Sequence, residues 1–359
     1  MMKNNLLQIV IILILLTFTN CGSKEENVTK TTNDVKPLSE LKQLSYLKKF
    51  TKFNEIFNSI DTINLETTSE SLMDKPWSVR VNEKQIIVSD MFSTKHVLAF
   101  ARNNGKFLGR IGSIGRGPEE YITPELIEVI GNELFLYDPG QMTVLVYNLD
   151  SKVFERSWKV KKYYVSITEI NNKLIFLNKN LQGYENDFEI YDLNGNILTT
   201  GSFPKSMSEP KRSFLYGGAF KMTKCNRNIV YIGADEFKLI LTDQFDRKQF
   251  WGNVKIPSLV KAPKIPTQGH NIKWLKENYS FLRGLFALNQ GLIFIQVDDY
   301  FHVYDSGGNF ICSTKNHAPK NIFCSDGEYV YEFTENFMSE TKVILNPKVI
   351  VYKIKQNGD

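Results

Sequence analysis

Alanine is scarce: 7 residues in a chain of 359, against 25 Phe and 16 Tyr. Alanine and straight-chain residues favour helices, while aromatic and β-branched residues suit a pleated, half-buried surface. That imbalance excludes a helical bundle or helical solenoid. Neither sign of charge dominates, with 44 basic and 39 acidic residues spread along the chain. No concentrated basic stripe therefore argues for a nucleic-acid partner. Histidine and cysteine number 4 each. No HExxH, CxxC or Cys/His spacing occurs among them, which excludes the familiar thiolate and metalloprotease metal sites. Long apolar runs are missing after the first twenty residues, so no other segment is long enough to span a membrane as a helix. The apolar content, 42%, is nonetheless ample for a large core, which excludes wholesale disorder.

The N-terminus reads as an address. Lys3 precedes an apolar run from Leu6 to Leu16, interrupted by Gln8. That length fits a secretory signal rather than a mature transmembrane helix. Thr17-Phe18-Thr19-Asn20 leads into Cys21, which resembles the lipid-accepting cysteine of a bacterial lipoprotein signal. Phe18 and Asn20 depart from the usual residues of that motif, and the relaxed form resembles that of Bacteroidota. There, an acidic stretch such as Ser23-Lys24-Glu25-Glu26 resembles a signal for surface export. Residues 1–20 are therefore expected to be a signal peptide and residues 21–36 a polar tether. The expected address is the outer membrane, reached through a lipid on Cys21. Export permits a Cys312–Cys324 disulfide, but an odd count of three remaining cysteines favours buried free thiols.

From Pro37 onward, strand-like runs alternate with turn clusters, and one mark recurs: an aromatic or apolar strand end followed by a tight polar turn. It falls at Phe100, Tyr147, Tyr191, Thr242 and Tyr304, with a sixth strand ending near Tyr352. Each interval holds four strands. In the second they are Leu126–Ile130, Glu133–Asp138, Thr143–Asn148 and Val153–Val160; in the third, Ser166–Ile170, Lys173–Asn178, Asp187–Tyr191 and Ile197–Phe203. Four antiparallel strands repeating every forty-odd residues is the pattern of a β-propeller blade. The last interval supplies three strands, and Ser59–Glu66 has the alternation to be its missing outer strand. The expectation for residues 37–359 is thus an all-β, six-bladed β-propeller of four-stranded antiparallel blades. Its ring would be closed by the N-terminal strand joining the last blade. Five blades is the alternative if Ser59–Glu66 is merely an arm.

The run Gly105-Lys-Phe-Leu-Gly-Arg110-Ile-Gly-Ser-Ile-Gly-Arg-Gly117-Pro-Glu-Glu-Tyr121, followed by Pro124, resembles the signature of the Bacteroidota six-bladed β-propeller lipoproteins, which are NHL-like. Leu134-Phe-Leu-Tyr-Asp138 and Leu145-Val-Tyr147 resemble the NHL repeat core. The resemblance implies a surface-tethered propeller that binds something, with no assigned chemistry.

In such a meander the turns joining first to second and third to fourth strands share one face and are uniformly tight. The remaining loops share the other face and hold all the length: 111–121, 178–186, 204–218, 257–281 and 336–347. Binding residues favour loops on a rigid scaffold, so this loop face is the expected site. On it, Arg116 and Glu119 either contact a ligand or lock one blade to the next, and Tyr121 is a further candidate ligand contact. Second strands end in acids (Asp90, Asp138, Asp235, Asp298), either a calcium or carbohydrate site or caps of their own turns. His270 sits in the longest loop, where Trp274 and Tyr279 are candidate stacking platforms. His302 is expected to be packed or at the rim.

Three functions are compatible with this pattern. The favoured one is a non-enzymatic binding module for a glycan, peptide or partner protein, with no cofactor. The others are a metal-assisted hydrolase or lyase using rim carboxylates, and a structural subunit of an outer-membrane complex.

Overall fold

The computed structural model describes residues 47, 49–74, 76–178, 188–201, 220–226, 228–233, 238–242, 250–253, 280, 282–317, 321–334 and 346–355. The chain divides into two compact units, Met1–Leu44 and Ser45–Asp359, and all the described residues lie in the second.

A short helix, α1 (Phe53–Ile56), precedes β1 (Phe57–Asn64). The next sheet comprises β2 (Ser78–Val81), β3 (Gln85–Ser89), β4 (Val97–Ala101) and β5 (Phe107–Arg110). A two-stranded parallel ladder, β6 (Ser113–Ile114) with β7 (Glu120–Tyr121), leads to β8 (Leu126–Ile130), β9 (Glu133–Asp138), β10 (Thr143–Asn148) and β11 (Phe154–Lys159). Then come β12 (Tyr164–Ile170), β13 (Lys173–Asn178), β14 (Phe188–Tyr191) and β15 (Ile197–Gly201). After them stand β16 (Phe220–Cys225), β17 (Asn228–Gly233), β18 (Lys238–Thr242) and β19 (Phe250–Asn253). The chain continues through β20 (Leu282–Leu288), β21 (Leu292–Val297), β22 (Tyr300–Asp305) and β23 (Phe310–Lys315). It ends with β24 (Ile322–Ser325), β25 (Val330–Phe333) and β26 (Lys348–Ile354).

The described strands pair into six four-stranded antiparallel sheets besides the β6–β7 ladder. Five are meanders of consecutive strands; the sixth has the order β1-β26-β25-β24. Phe57–Asn64 therefore supplies an outer strand from the far end of the sequence, with Phe57 opposite Ile354 and Asn64 opposite Lys348. The first strands of successive sheets also meet: β2 with β8, β8 with β12, β12 with β16, β16 with β20, β20 with β24, and β24 with β2.

The fold is a β-propeller-like stack of blades because each sheet is apolar on both faces. Strands β3, β9 and β21 are buried almost throughout, whereas the outer strand β11 alternates half-buried and exposed positions. Middle strands thus read as continuous apolar runs rather than the alternation expected of a one-sided sheet. Between the β2–β5 and β8–β11 sheets lie Ile87, Leu136, Leu145 and Tyr147; between β8–β11 and β12–β15 lie Phe135, Tyr137, Tyr164 and Phe176. Each such buried side chain contributes about 1.5–3 kcal/mol relative to leaving it exposed. Between the last two sheets the filling is almost wholly aromatic. Phe286 stacks on Phe294 at 5.0 Å, and Phe53 from α1 reaches in to meet Phe301 at 5.3 Å and Phe323 at 5.8 Å. The helix and β1 are held to the body by this ring cluster and by the Lys315 amide donating to the Thr51 carbonyl, 2.8 Å.

One expectation changes. The parallel β6–β7 ladder was not legible as strand, since its members are two residues long and separated by glycines. Cys312 and Cys324 are not bridged: both are free thiols, as is Cys225. No helix among the described residues is long and apolar enough to cross a membrane.

Candidate functional site

The turn face is closed by side-chain caps. Asn82 accepts from the Lys84 and Gln85 amides at 2.9 and 2.7 Å, Asp192 from Asn194 and Asn196 at 2.9 and 2.8 Å, and Asp305 from Gly307 and Asn309 at 2.9 and 2.8 Å. A short Asn or Asp side chain mimics the next backbone turn, which keeps these loops minimal. Little protrudes there to grip a ligand.

On the loop face, one long connection runs from β5 to β8. Gly112 sits within it at φ +67°, where a Cβ would fall 2.7 Å from Tyr147 Oη and 2.9 Å from Tyr121 Cε1. The Gly115 amide donates to the Tyr121 carbonyl at 2.9 Å, and the Gly117 amide donates to Glu120 Oε2 at 2.8 Å. The Gly115 and Gly117 amides are therefore already occupied within the loop. Gln141 Nε2 donates to the Glu120 carbonyl at 2.6 Å and Tyr147 Oη to the Glu119 carbonyl at 2.9 Å. These bonds tie the loop to the sheet that comes after it.

Tyr121 is fully buried. Its hydroxyl donates to the Ile111 carbonyl and accepts from the Val97 amide, both at 3.1 Å. Burial pushes its phenol up to about 12. As a ligand contact it is therefore replaced by a structural role. The contacts that lock the loop to the sheets run from Tyr121, Tyr147 and Gln141 to backbone groups, the Glu119 and Glu120 carbonyls among them, while the Arg116 and Glu119 side chains lie outside. The Arg116 and Glu119 side chains are exposed at the tip, beside exposed Ile114 and Pro118.

Asp138 is buried and accepts three amides: Ile122 at 2.8 Å, Thr123 at 3.0 Å and Gly140 at 2.8 Å. Asp90, also buried, accepts from Ser93 and Asp74 at 3.0 Å each and from the Thr94 hydroxyl at 3.2 Å. Both carboxylates are committed to their loops. Asp298 is half-buried with φ +48°, the turn residue between β21 and β22. Among the described residues, no group of three His, Cys, Asp or Glu is placed to hold a metal ion. Asp235, His270, Trp274 and Tyr279 lie outside the described residues, as do Cys21 and most of the remaining long loops.

Two further carboxylates sit at sheet junctions. Glu189 accepts Tyr164 Oη at 2.5 Å and Tyr191 Oη at 2.8 Å, and pairs with Lys162 Nζ at 2.8 Å. Burial opposes ionisation of Glu189, but Lys162 and the two phenols outweigh it and hold its carboxyl below the usual range. Glu332 is satisfied in the same way by Tyr352 Oη at 2.6 Å, Asn321 Nδ2 at 2.6 Å and His317 Nε2 at 2.9 Å. Each is a saturated internal knot rather than a free acid or base.

The residues that sequence reasoning missed are aromatic. Trp77, in the loop entering β2, is 40% exposed, and Phe92, in the β3–β4 loop, is 56% exposed. Their rings meet edge-on at 5.0 Å. Tyr163 and Tyr300 are likewise exposed, at the entries to β12 and β22. All four lie at loop-face ends of their strands. The pairing of Trp77 with Phe92 was not legible in the sequence, because Phe92 reaches it from a different loop.

Comparisons with known proteins bear on the fold. Residues 43–239 match the family described as "Domain of unknown function (DUF4934)". A protein of Bacteroides fragilis NCTC 9343, described as a candidate exported protein, superposes with TM-score 0.62 at 14% identity, covering 86% of this chain and 99% of its own. A member of the DUF4221 family from Bacteroides vulgatus superposes with TM-score 0.63 at 12% identity, covering 84% of this chain and 98% of its own. Among curated proteins, none matches the sequence.

Proposed function

The chain belongs to the DUF4934 family, and from that premise we propose that it is a non-enzymatic binding module. On this reading it is a six-bladed propeller, its ring closed by β1, tethered outside the cytoplasm through a lipid on Cys21. The sheet order that brings β1 beside β26, and the meeting of β24 with β2, support the closed ring. The lipobox-like Thr17–Cys21 run supports the anchor, and one structural neighbour from Bacteroides is itself described as exported.

The observation that carries the binding role is the placement of Trp77, Phe92, Tyr163 and Tyr300. Solvent-exposed rings are costly to leave idle and well suited to stacking on sugar faces or peptide side chains. Here the loop that carries Phe92 is held by Asp90 through Ser93 and Thr94, so ordering on binding costs little. A glycan or peptide is the ligand class this surface suits. Binding of the purified protein to glycan and peptide arrays tests it. Loss of the captured ligand in the Trp77→Ala/Phe92→Ala variant is the expected result; an unchanged profile in that variant would rule this surface out. Metabolic labelling with a fatty acid, lost in Cys21→Ala, tests the anchor.

A further inference from the structure

The N-terminal arm, residues 51–56, meets the sheets beside a buried carboxylate. It crosses β23, where the Lys315 amide donates to the Thr51 carbonyl at 2.8 Å and Lys52 forms a parallel bridge with Lys315. From there the buried ring of Phe53 packs on the last sheet. Its centroid lies 5.1 Å from Tyr352, 5.2 Å from His317 and 5.8 Å from Phe323. Tyr352 belongs to β26, where it stands opposite Ser59 of β1. The His317 imidazole thus lies against both the arm and the strand with which the arm's continuation pairs.

That imidazole is half in water. The His317 side chain is 47% exposed, whereas that of its partner Glu332 is 1% exposed. His317 Nε2 lies 2.9 Å from Glu332 Oε2, the oxygen that also accepts Tyr352 Oη at 2.6 Å. Tyr352 Oη is in turn 3.4 Å from the same ring nitrogen, and Asn321 Nδ2 donates to Glu332 Oε1 at 2.6 Å. Burial opposes ionisation of Glu332, but these donors, His317 first, outweigh it and hold its carboxyl below the usual range. The knot therefore holds a carboxylate at neutral pH, and His317 is the member that solvent can protonate.

The other titratable groups on the packed elements are engaged elsewhere or uncharged. Glu55 of α1 accepts the Thr51 and Lys52 amides at 2.7 and 2.9 Å. Burial pushes the Cys324 thiol of β24 up to about 12, so it stays neutral. On β25, Tyr331 donates to Asp326 at 2.7 Å. On β26, Lys353 lies over the Tyr329 ring at 5.8 Å and Lys348 stands opposite Asn64. Lys52 and Lys315 are exposed, so water and salt screen their repulsion of a charged ring.

We propose that His317 is a proton-operated latch on the N-terminal arm, tight when the imidazole is charged and loose when it is neutral. Histidine is the side chain whose charge changes between about pH 5 and 8. Charged, it gives Glu332 a counter-ion and a charge-assisted bond in a nearly dry site; neutral, it gives an ordinary bond through one tautomer. The charged form gains the more. The arm is therefore held most firmly below about pH 6 and loosens as the pH rises towards about 8. Loosening reaches Phe53 and α1 first, because β1 keeps its own ladder to β26. The latch is independent of whatever the loop face binds.

The test is amide hydrogen exchange of the purified protein at about pH 5.5 and about pH 8, corrected for intrinsic exchange rates and read over residues 51–57. Protection there is expected to be about fivefold higher at the lower pH, the margin between a charged and a neutral hydrogen-bond donor. Peptides from β9 and β10 serve as the internal reference. His317→Gln retains a donor without a titratable ring and should lose the pH dependence. His317→Arg, permanently charged, should stay protected at both values. Equal wild-type protection at the two pH values would overturn the proposal, and so would an undiminished difference in either variant. The wild-type comparison needs no substitution, so it decides the matter even if a variant fails to fold.

Discussion

The Tyr147 hydroxyl donates to the Glu119 carbonyl across 2.9 Å, so a side chain of β10 holds the tip of the loop that precedes its own sheet. The phenol comes from a fully packed ring in the core between two sheets, and burial raises its pKa further. Tyr147→Phe keeps the packing and removes the bond. A loss of about 1 kcal/mol in denaturant unfolding is expected, with amide exchange at the loop accelerated beyond the rest of the sheet.

Gly112 and Gly131 form a matched pair. Both hold positive φ, +67° and +58°, but a Cβ on Gly131 meets nothing within 4 Å, while one on Gly112 strikes the Tyr147 and Tyr121 rings. Gly131→Ala should cost about 1–2 kcal/mol from backbone strain alone. Gly112→Ala adds overpacking against two buried rings and should cost about 3 kcal/mol or more. Equal midpoints for the two variants in urea would contradict that packing.

Asp138 carries three backbone amides in a buried position. Asp138→Ala strands those donors, each costing about 1–3 kcal/mol when buried and unmet. Severe destabilisation or failure to fold is expected, with Asp138→Asn intermediate because it retains one acceptor oxygen. A stable Asp138→Ala protein that had lost a bound cation would instead point to metal binding there.

His302 is buried on β22, with Nδ1 2.7 Å from Ser313 Oγ, and burial lowers its pKa to about 4. Unfolded, the imidazole titrates near 6.5. Above that value it is neutral in both states and the stability contribution is complete. Between about 6.5 and 4 the unfolded chain binds a proton that the folded chain refuses, so stability falls as pH falls. The loss approaches roughly 3 kcal/mol by pH 4. A His302→Gln variant should flatten that part of the stability–pH curve; an unchanged slope would mean that the ring titrates normally.

Trp77 and Phe92 make the opposite kind of prediction. Because both are substantially exposed, Trp77→Ala/Phe92→Ala should shift unfolding by less than about 2 kcal/mol, yet abolish array binding. A large loss of stability would recast the pair as core.

Strand positions were legible because burial imposes a period on composition. Leu126–Ile130, Glu133–Asp138 and Thr143–Asn148 stand where the apolar runs and turn residues place them. The pairing of β1 with β26 accords with a strand count that left one sheet short. The site was less legible. Arg116, Glu119 and Tyr121 are neighbours in sequence, but β7 turns Tyr121 inward while the loop tip leaves the other two side chains in solvent.

What the sequence alone determined is therefore the aromatic, alanine-poor strand repeat and the turn chemistry that spaces it, since both depend on local pattern. Tertiary structure decided whether the aromatic surplus packs or faces water. Phe135 and Tyr137 fill a seam between sheets, while Trp77 and Phe92, chemically similar, meet in solvent. It also decided that Lys224 of β16 meets Glu169 of β12, 55 positions away in the chain. Such distinctions depend on which distant strands are brought together, and one-dimensional spacing does not encode that distance.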